Sequence, residues 1–280
     1  MIPIHFENDD DAERRLGRDS RVYFTAPGDG SYLVRVTDSR GFGGGRYVYS
    51  LAVRPAEPDF KISVDGMNPK IAKGSGQRFT VKADRIDGFE GEIKVELTNI
   101  PEGFAISNPV IIQEGHTTAF ATIYARAGAV QPTNRVSLSA FAEVGGRPVE
   151  REAGSLGQIT LADSAPLYVE LDPSGAATPE ITIAPGGIVP ARLQIRRNGH
   201  TELVTFQVEN LPHGVIVDNI GLNGVLIPKD QNEREIFFAA EKWVPETDRL
   251  CYAVSNEAGR QTSRPILIKV RKSGGQVAAH

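Results

Sequence analysis

Two stretches, "LTNIPEGFAISNPV" (residues 97–110) and "VENLPHGVIVDNIGLNGV" (residues 208–225), carry the same phrase: Asn-Ile/Leu-Pro-x-Gly, then an alternating apolar run. The phrase has a physical reading. Pro101 and Pro212 lack a ladder donor and push the residue before them toward extended backbone, so each ends a strand. Gly103 and Gly214 can take positive φ at little cost and re-aim the chain. The runs from Phe104 and Val215 then open the next strand. Each phrase is a corner between two strands, written once per unit.

Working outward, residues 85–103 lie over residues 196–214 without a gap, with Arg85/Arg196, Gly88/Gly199, Asn99/Asn210, Pro101/Pro212 and Gly103/Gly214 identical. Residues 110–125 then lie over 225–240, which places four inserted residues around Ile220–Gly224. The spacing of the two phrases, 111 residues, is too long for a solenoid repeat and fits one whole sandwich domain.

The rest of the chain has the same period. "SYLVRVTD" (31–38), "RFTVKAD" (78–84), "EIKVELT" (92–98) and "RVSLSAFA" (135–142) alternate apolar and polar residues. Such alternation marks strands with one buried face, as in antiparallel sheets. Turn signals such as "PGDG" (27–30), "GFGGG" (41–45), "EVGGR" (143–147) and "PGG" (185–187) separate them. No window shows the helical stripe that parallel crossovers need, and Asp9–Arg15 reads as a charged loop. The fold class is all-β, a series of antiparallel β-sandwiches.

A formal charge of −4 with scattered lysines and arginines offers no basic stripe, so nucleic acid is not expected as a partner. No apolar run approaches the roughly 20 residues that span a bilayer. The start, "MIPIHFENDDDAERR", lacks the parts of a signal peptide, which leaves either a cytoplasmic chain or an export signal on another segment. Cys251 is the single cysteine, so no intrachain disulfide forms, and the cores must hold the domains.

The corner phrase, with "PDFKISVD", "RIDGFEGEI" and the "I-x-x-G" or "I-P-x-D" turn after it, resembles the immunoglobulin-like sandwiches of large secreted bacterial proteins. The likeness covers about residues 57–272, and its wording is similar to extracytoplasmic proteins of planctomycete-type bacteria. Earlier, "VYFTAPGDGSYLVRVTD" followed by "RYVYSLAV" resembles the bacterial pre-peptidase C-terminal domain, in a form shorter than usual. These likenesses imply a partial pre-peptidase-like β domain over 1–55, immunoglobulin-like sandwiches over 56–164 and 165–272, and a tail over 273–280. The proline-bearing "RPAEPDF" (54–60) and "LADSAPL" (161–167) read as linkers that few contacts cross. The implied role is a non-catalytic accessory, spacer or adhesion segment of a secreted or cell-surface protein. Its expected partners are neighbouring domains, other surface proteins or polysaccharide. The alternative is a carbohydrate-binding module attached to a degradative enzyme.

The candidates for chemistry are sparse, and neither a catalytic residue nor a cofactor is assigned. His5, His116, His200, His213 and His280 lack metal-ligand spacing, and the corner histidines His200 and His213 read as exposed. "AGSLG" around Ser155 departs from the nucleophile elbow in its first glycine and precedes a strand rather than a helix. "GFGGGRY" (41–47) reads as a hairpin loop rather than a phosphate cradle. The carboxylates of "ENDDD" (7–11), with Asp19, Asp29 and Asp38, are of the type calcium takes, without EF-hand spacing. Trp243 reads as a plug at the edge of the second sandwich. The inserted Ile220, Gly221, Leu222, Asn223 and Gly224 form the candidate interaction loop, because sandwiches bind through their end loops.

Overall fold

The structure is a computed structural model that describes residues 6–9, 19–173, 180–218 and 225–272. Twenty strands and no helix are found among them. Ten belong to a first sandwich: β1 (Asp59–Asp65), β2 (Lys70–Ala72), β3 (Ser75–Ile86), β4 (Ile93–Thr98), β5 (Phe104–Ile106), β6 (Val110–Ile112), β7 (Thr118–Ala125), β8 (Ser137–Val144), β9 (Arg147–Ser155) and β10 (Thr160–Ala162). Ten build a second: β11 (Leu167–Asp172), β12 (Glu180–Ile183), β13 (Ile188–Arg197), β14 (Val204–Glu209), β15 (Val215–Asp218), β16 (Val225–Ile227), β17 (Glu233–Ala240), β18 (Thr247–Ser255), β19 (Gln261–Thr262) and β20 (Ile266–Val270).

The strand orders match between the two. One sheet runs β1-β3-β7-β5 in the first sandwich and β11-β13-β17-β15 in the second. The facing sheet runs β6-β4-β8-β9 in the first. In the second, β14 pairs with β16 and β18, and β18 with β20. This is the two-sheet Greek-key arrangement of immunoglobulin-like domains. Two short parallel pairs, β2 with β10 and β12 with β20, add to the antiparallel ladders. The alternation read from the sequence becomes two dry cores. One is built around Phe60, Phe79, Val95, Ile112 and Ile123, the other around Leu171, Leu193, Phe206, Ile236 and Phe238.

The corner phrase behaves as its residues require, with one addition. Gly103 and Gly214 have φ of 81° and 82°, and Asn99 and Asn210, two residues before each proline, have φ of 58° and 63°. Asparagine is among the few residues with a side chain that visit the left-handed region readily. After each proline the backbone bonds repeat. Phe104 N donates to Pro101 O and Arg126 N to Gly103 O; Val215 N donates to Pro212 O and Glu241 N to Gly214 O.

The register of the duplication differs from the ungapped overlay at one point. Arg85 donates to the carbonyls of His116, Gly91 and Gln113. The residue making the matching fork is Arg197, which donates to the carbonyls of Glu202, Pro228 and Gln231 and to the Asn232 side chain. Arg196 instead lies over the Tyr168 ring. Arg85 therefore corresponds to Arg197, not Arg196. The turn at Asp87 and Gly88 carries one residue, Ile86, that its counterpart at Asn198 and Gly199 lacks.

Two further expectations are corrected. The runs 31–38 and 46–53 form no strand, although their side chains alternate. A strand needs a ladder partner, and the backbone bonds there, Gly41 N to Asp38 O and Tyr47 N to Gly44 O, close turns only. Leu33 and Val48 are 94% and 90% exposed. The segment 161–167 also fails to separate its two blocks, because β19 of the second sandwich pairs with β3 of the first.

Candidate interaction surfaces

That pairing is the most developed site among the described residues. Strand β1 covers β3 only from Thr80 onward, so the first residues of β3 offer an open edge. Strand β19 takes it, with Gln261 opposite Gln77 and Thr262 opposite Gly76. Gly76 is bare for a reason: a Cβ there would collide with Thr262 Oγ1 and crowd Thr122 Oγ1. The fully buried hydroxyls of Thr122 and Thr262 lie 2.5 Å apart, and Ser75 Oγ donates to Gln261 Oε1 at 2.6 Å.

Beside this ladder, the buried Glu209 carboxylate of the second sandwich accepts from Arg78 Nη1 of the first at 2.6 Å and from Tyr252 O–H at 2.6 Å. The Arg78 guanidinium also covers the Phe120 ring at 4.6 Å. Burial, with the carboxylate beside it, pushes the Tyr252 phenol upward, which keeps it a donor. This polar network crosses from one sandwich to the other with its carboxylate buried, which favours one relative pose of the two bodies.

A second polar site anchors each incoming linker. Asp87 accepts two bonds from the Arg54 guanidinium and one from Glu57 N–H, with Arg21 at 3.9 Å. The hydrogen bond from Arg54, then that from Glu57, lowers the carboxyl to about 2, against desolvation. Its counterpart Asn198 donates to Ala165 O at 2.9 Å. One turn position thus grips the segment before the first strand in both sandwiches.

The individual candidates are placed as follows. Ile220, Gly221, Leu222, Asn223 and Gly224 lie outside the described residues, as do His5 and His280. Trp243 is 58% exposed, and its ring edge closes over Gly214 while its face tilts against His213 at 5.1 Å. The plug expected of Trp243 is supplied instead by the buried Val244, whose counterpart Ala129 closes over Gly103. The Ser155 hydroxyl accepts from Gly157 N–H, and no hydrogen bond among the described residues ties it to a histidine or carboxylate. Asp38 caps the 41–47 loop by accepting from Arg40 N–H and Phe42 N–H, and the Phe42 and Tyr47 rings stack at 5.7 Å. Among the described residues no three His, Cys, Asp or Glu side chains gather as a metal site. Cys251 is wholly buried, and desolvation raises its thiol pKa, which disfavours the thiolate. No described helix is long and apolar enough to cross a membrane.

The sequence reading missed the β3 edge and the Asp87 clamp. Their one visible signal was small residues at Gly74–Gly76 beside a turn, which a loop explains equally well.

No family model matches the chain, and no curated protein matches it. Solved structures similar to it include domains 4 and 5 of the S-layer protein SbsC, at 12% identity and TM-score 0.26, spanning 77% of this chain and 99% of that one. The fibronectin(III)-like modules of Clostridium thermocellum CbhA align at 14% identity and TM-score 0.22, spanning 78% and 97%. The D00–D0 domain of intimin aligns at 10% identity and TM-score 0.26, spanning 74% and 98%. Scores this low assign neither a domain pose nor a function to this chain.

Proposed function

We propose that this chain is a non-catalytic spacer and interaction segment of a secreted or cell-surface bacterial multidomain protein. The observation that carries the reading is the joint between the sandwiches. A strand ladder, a glycine that admits it and a buried Arg78–Glu209–Tyr252 network fix one body on the other. Such a joint holds surfaces at a set separation, which is what a spacer needs.

A second reading, a carbohydrate-binding module, is favoured by the exposed Trp243 face beside His213, since sugar rings stack on such platforms. One pair of experiments separates these. The full chain is assayed for turnover on chromogenic ester, peptide and glycoside substrates, and for binding on a glycan array. The spacer reading expects neither. Turnover abolished by Ser155→Ala would overturn the non-catalytic reading, and glycan binding lost in Trp243→Ala would establish the module reading.

A further inference from the structure

Most of the exposed large apolar side chains among the described residues lie before the first sandwich, on the runs 20–26, 31–38 and 46–53. Contacts bring parts of this region side by side. The Phe6 ring meets Phe24 at 5.3 Å, and Phe24 meets Tyr32 at 5.0 Å. Asn8 Nδ2 donates to Arg21 O at 2.6 Å, and Ser20 Oγ donates to Asn8 O at 2.5 Å. The region is also tied to the first sandwich from both of its ends. Arg54 is paired with Asp87, and Arg21 lies 3.9 Å from the same carboxylate.

The side chains sort by position. In the run 31–38 the alternate places are Tyr32, Val34 and Val36, with Leu33 and Arg35 between them. In 46–53 they are Tyr47, Tyr49, Leu51 and Val53, and the intervening places begin with Arg46 and lead to Arg54. One side of each run is therefore uncharged, and the arginines lie on the other. Exposure follows the same alternation, since Leu33 is 94% exposed between Tyr32 at 42% and Val34 at 58%. With Phe24, which touches Tyr32, the uncharged side comprises eight large apolar residues that are each between 40% and 79% exposed. At roughly 100 Å² of uncovered surface apiece they offer about 800 Å². That exceeds the few hundred Å² of the largest apolar patch on an ordinary monomer, and it matches the ~800 Å² that each partner gives to a stable interface.

The chain's own sandwiches show what covers such a surface. In the first, the apolar side of β1-β3-β7-β5 is closed by β6-β4-β8-β9, a second layer with the same alternation. The runs before residue 54 have no such layer, and none of their side chains belongs to either core. Beyond residue 53 the exposed large apolar residues, such as Met67, Phe120 and Leu203, stand singly, so no described part of the chain offers a matching cover. The same surface on another copy does. It has the right area and period, it brings no charge that packing would have to desolvate, and its tyrosines are of the type enriched where proteins meet.

We propose that the uncharged surface around Tyr32, Val34, Tyr49 and Leu51 packs against the same surface of a second copy of this chain, forming a two-fold dimer. The contact is isologous, so one patch on each copy is used up and the assembly closes at two. The proposal deepens the reading of the chain as an interaction segment by naming its partner. Failure here shows as a monomer, whereas failure of that reading shows as turnover.

The test is sedimentation velocity of the full chain from about 1 µM to about 1 mM, a span that detects micromolar to millimolar association. Wild type is expected to pass from monomer to dimer and to grow no further. Val34→Lys and Leu51→Lys place a charge in the contact, and each is expected to weaken dimerisation by at least about tenfold. Leu33→Lys and Val48→Lys, at the intervening places, are expected to change it by less than about twofold. All four positions lie outside both sandwich cores, so thermal unfolding of the sandwiches is expected to match wild type, which separates a lost contact from a lost fold. A wild type that stays monomeric at the top concentration overturns the proposal, as does association that continues past the dimer. So does a dimer that Val34→Lys and Leu51→Lys leave intact, or one that the two sets of variants weaken equally.

Discussion

The two sandwiches share strand order, corner and arginine fork, yet they differ wherever a neighbour touches them. In the first, the β3 edge carries a glycine and a threonine under a polar hairpin; in the second, the same edge carries Ile188 and, across the sheet, Ile216. At the linker clamp the first uses a carboxylate held by Arg54 and the second an amide bonded to a carbonyl. Under the corner glycine the first places Ala129, the second Val244 with Trp243. The difference teaches that interior positions answer to the sandwich core, whereas the ends answer to what is docked there.

The sharpest way to break this comparison is Gly76→Val. Its side chain occupies the place of Thr262 Oγ1, so the β19–β3 ladder cannot close, and the buried Thr122–Thr262 pair loses its geometry. We expect a loss of about 3 kcal/mol, as for overpacked interiors, and the separation of one calorimetric transition into two. Should the variant melt as a single unit at the wild-type temperature, the joint is not what couples the bodies.

The arginine fork gives a paired test. Arg85→Met leaves the carbonyls of Gly91, Gln113 and His116 without their donor in a buried site, a loss of about 2–3 kcal/mol. Arg197→Met, at a half-buried fork where water can replace the donor, is expected to cost about half as much. Urea midpoints measure both, and equal losses would show that burial does not distinguish the forks.

Asp87 predicts a pH dependence. Its folded pKa of about 2 lies below the ordinary carboxylate value of 3.8. The stabilisation is therefore complete above pH 4 and disappears as pH falls toward 2. Arg54 is more than half exposed, so solvent screens the pair and the effect on stability is small. Asp87→Asn is expected to speed amide exchange at Glu57 above pH 4 and to leave it unchanged near pH 2; Asn198→Ala should show no acid dependence of its own.

Trp243→Ala is the smallest change. With its face in solvent and Val244 beneath it, the ring should contribute under about 1 kcal/mol, and the intact Trp243 should be quenched readily by iodide. Resistance to quenching would mean that something covers the face.

Much of the sandwich interior was legible from residues alone. Period-two alternation at Ile93, Val95 and Leu97 or at Phe206 and Val204 requires a half-buried sheet, and Pro101 with Gly103 requires a corner. The left-handed Asn99 and Asn210 were not, since a proline two residues on says nothing about them. The one-residue offset that makes Arg197 the counterpart of Arg85 was hidden because Arg196 supplies an identical letter next door. The runs 31–38 and 46–53 alternate as strands do without becoming strands, since pattern supplies a face and not a partner.

By itself the chain's sequence determined local geometry: which segments extend, where they turn, and which side of each faces a core. Those properties depend on residues a few positions apart, whose backbone preferences and apolar periodicity are carried by the letters. Only the tertiary structure decided that β19 pairs with β3, that Glu209 faces Arg78, and that Ile188 stands where Gly76 stands in the other body. The first two are contacts between positions more than a hundred residues apart. Any of several exposed edges could have met by pattern alone, and the choice rests on shape and buried hydrogen bonding that exist only once both bodies are folded.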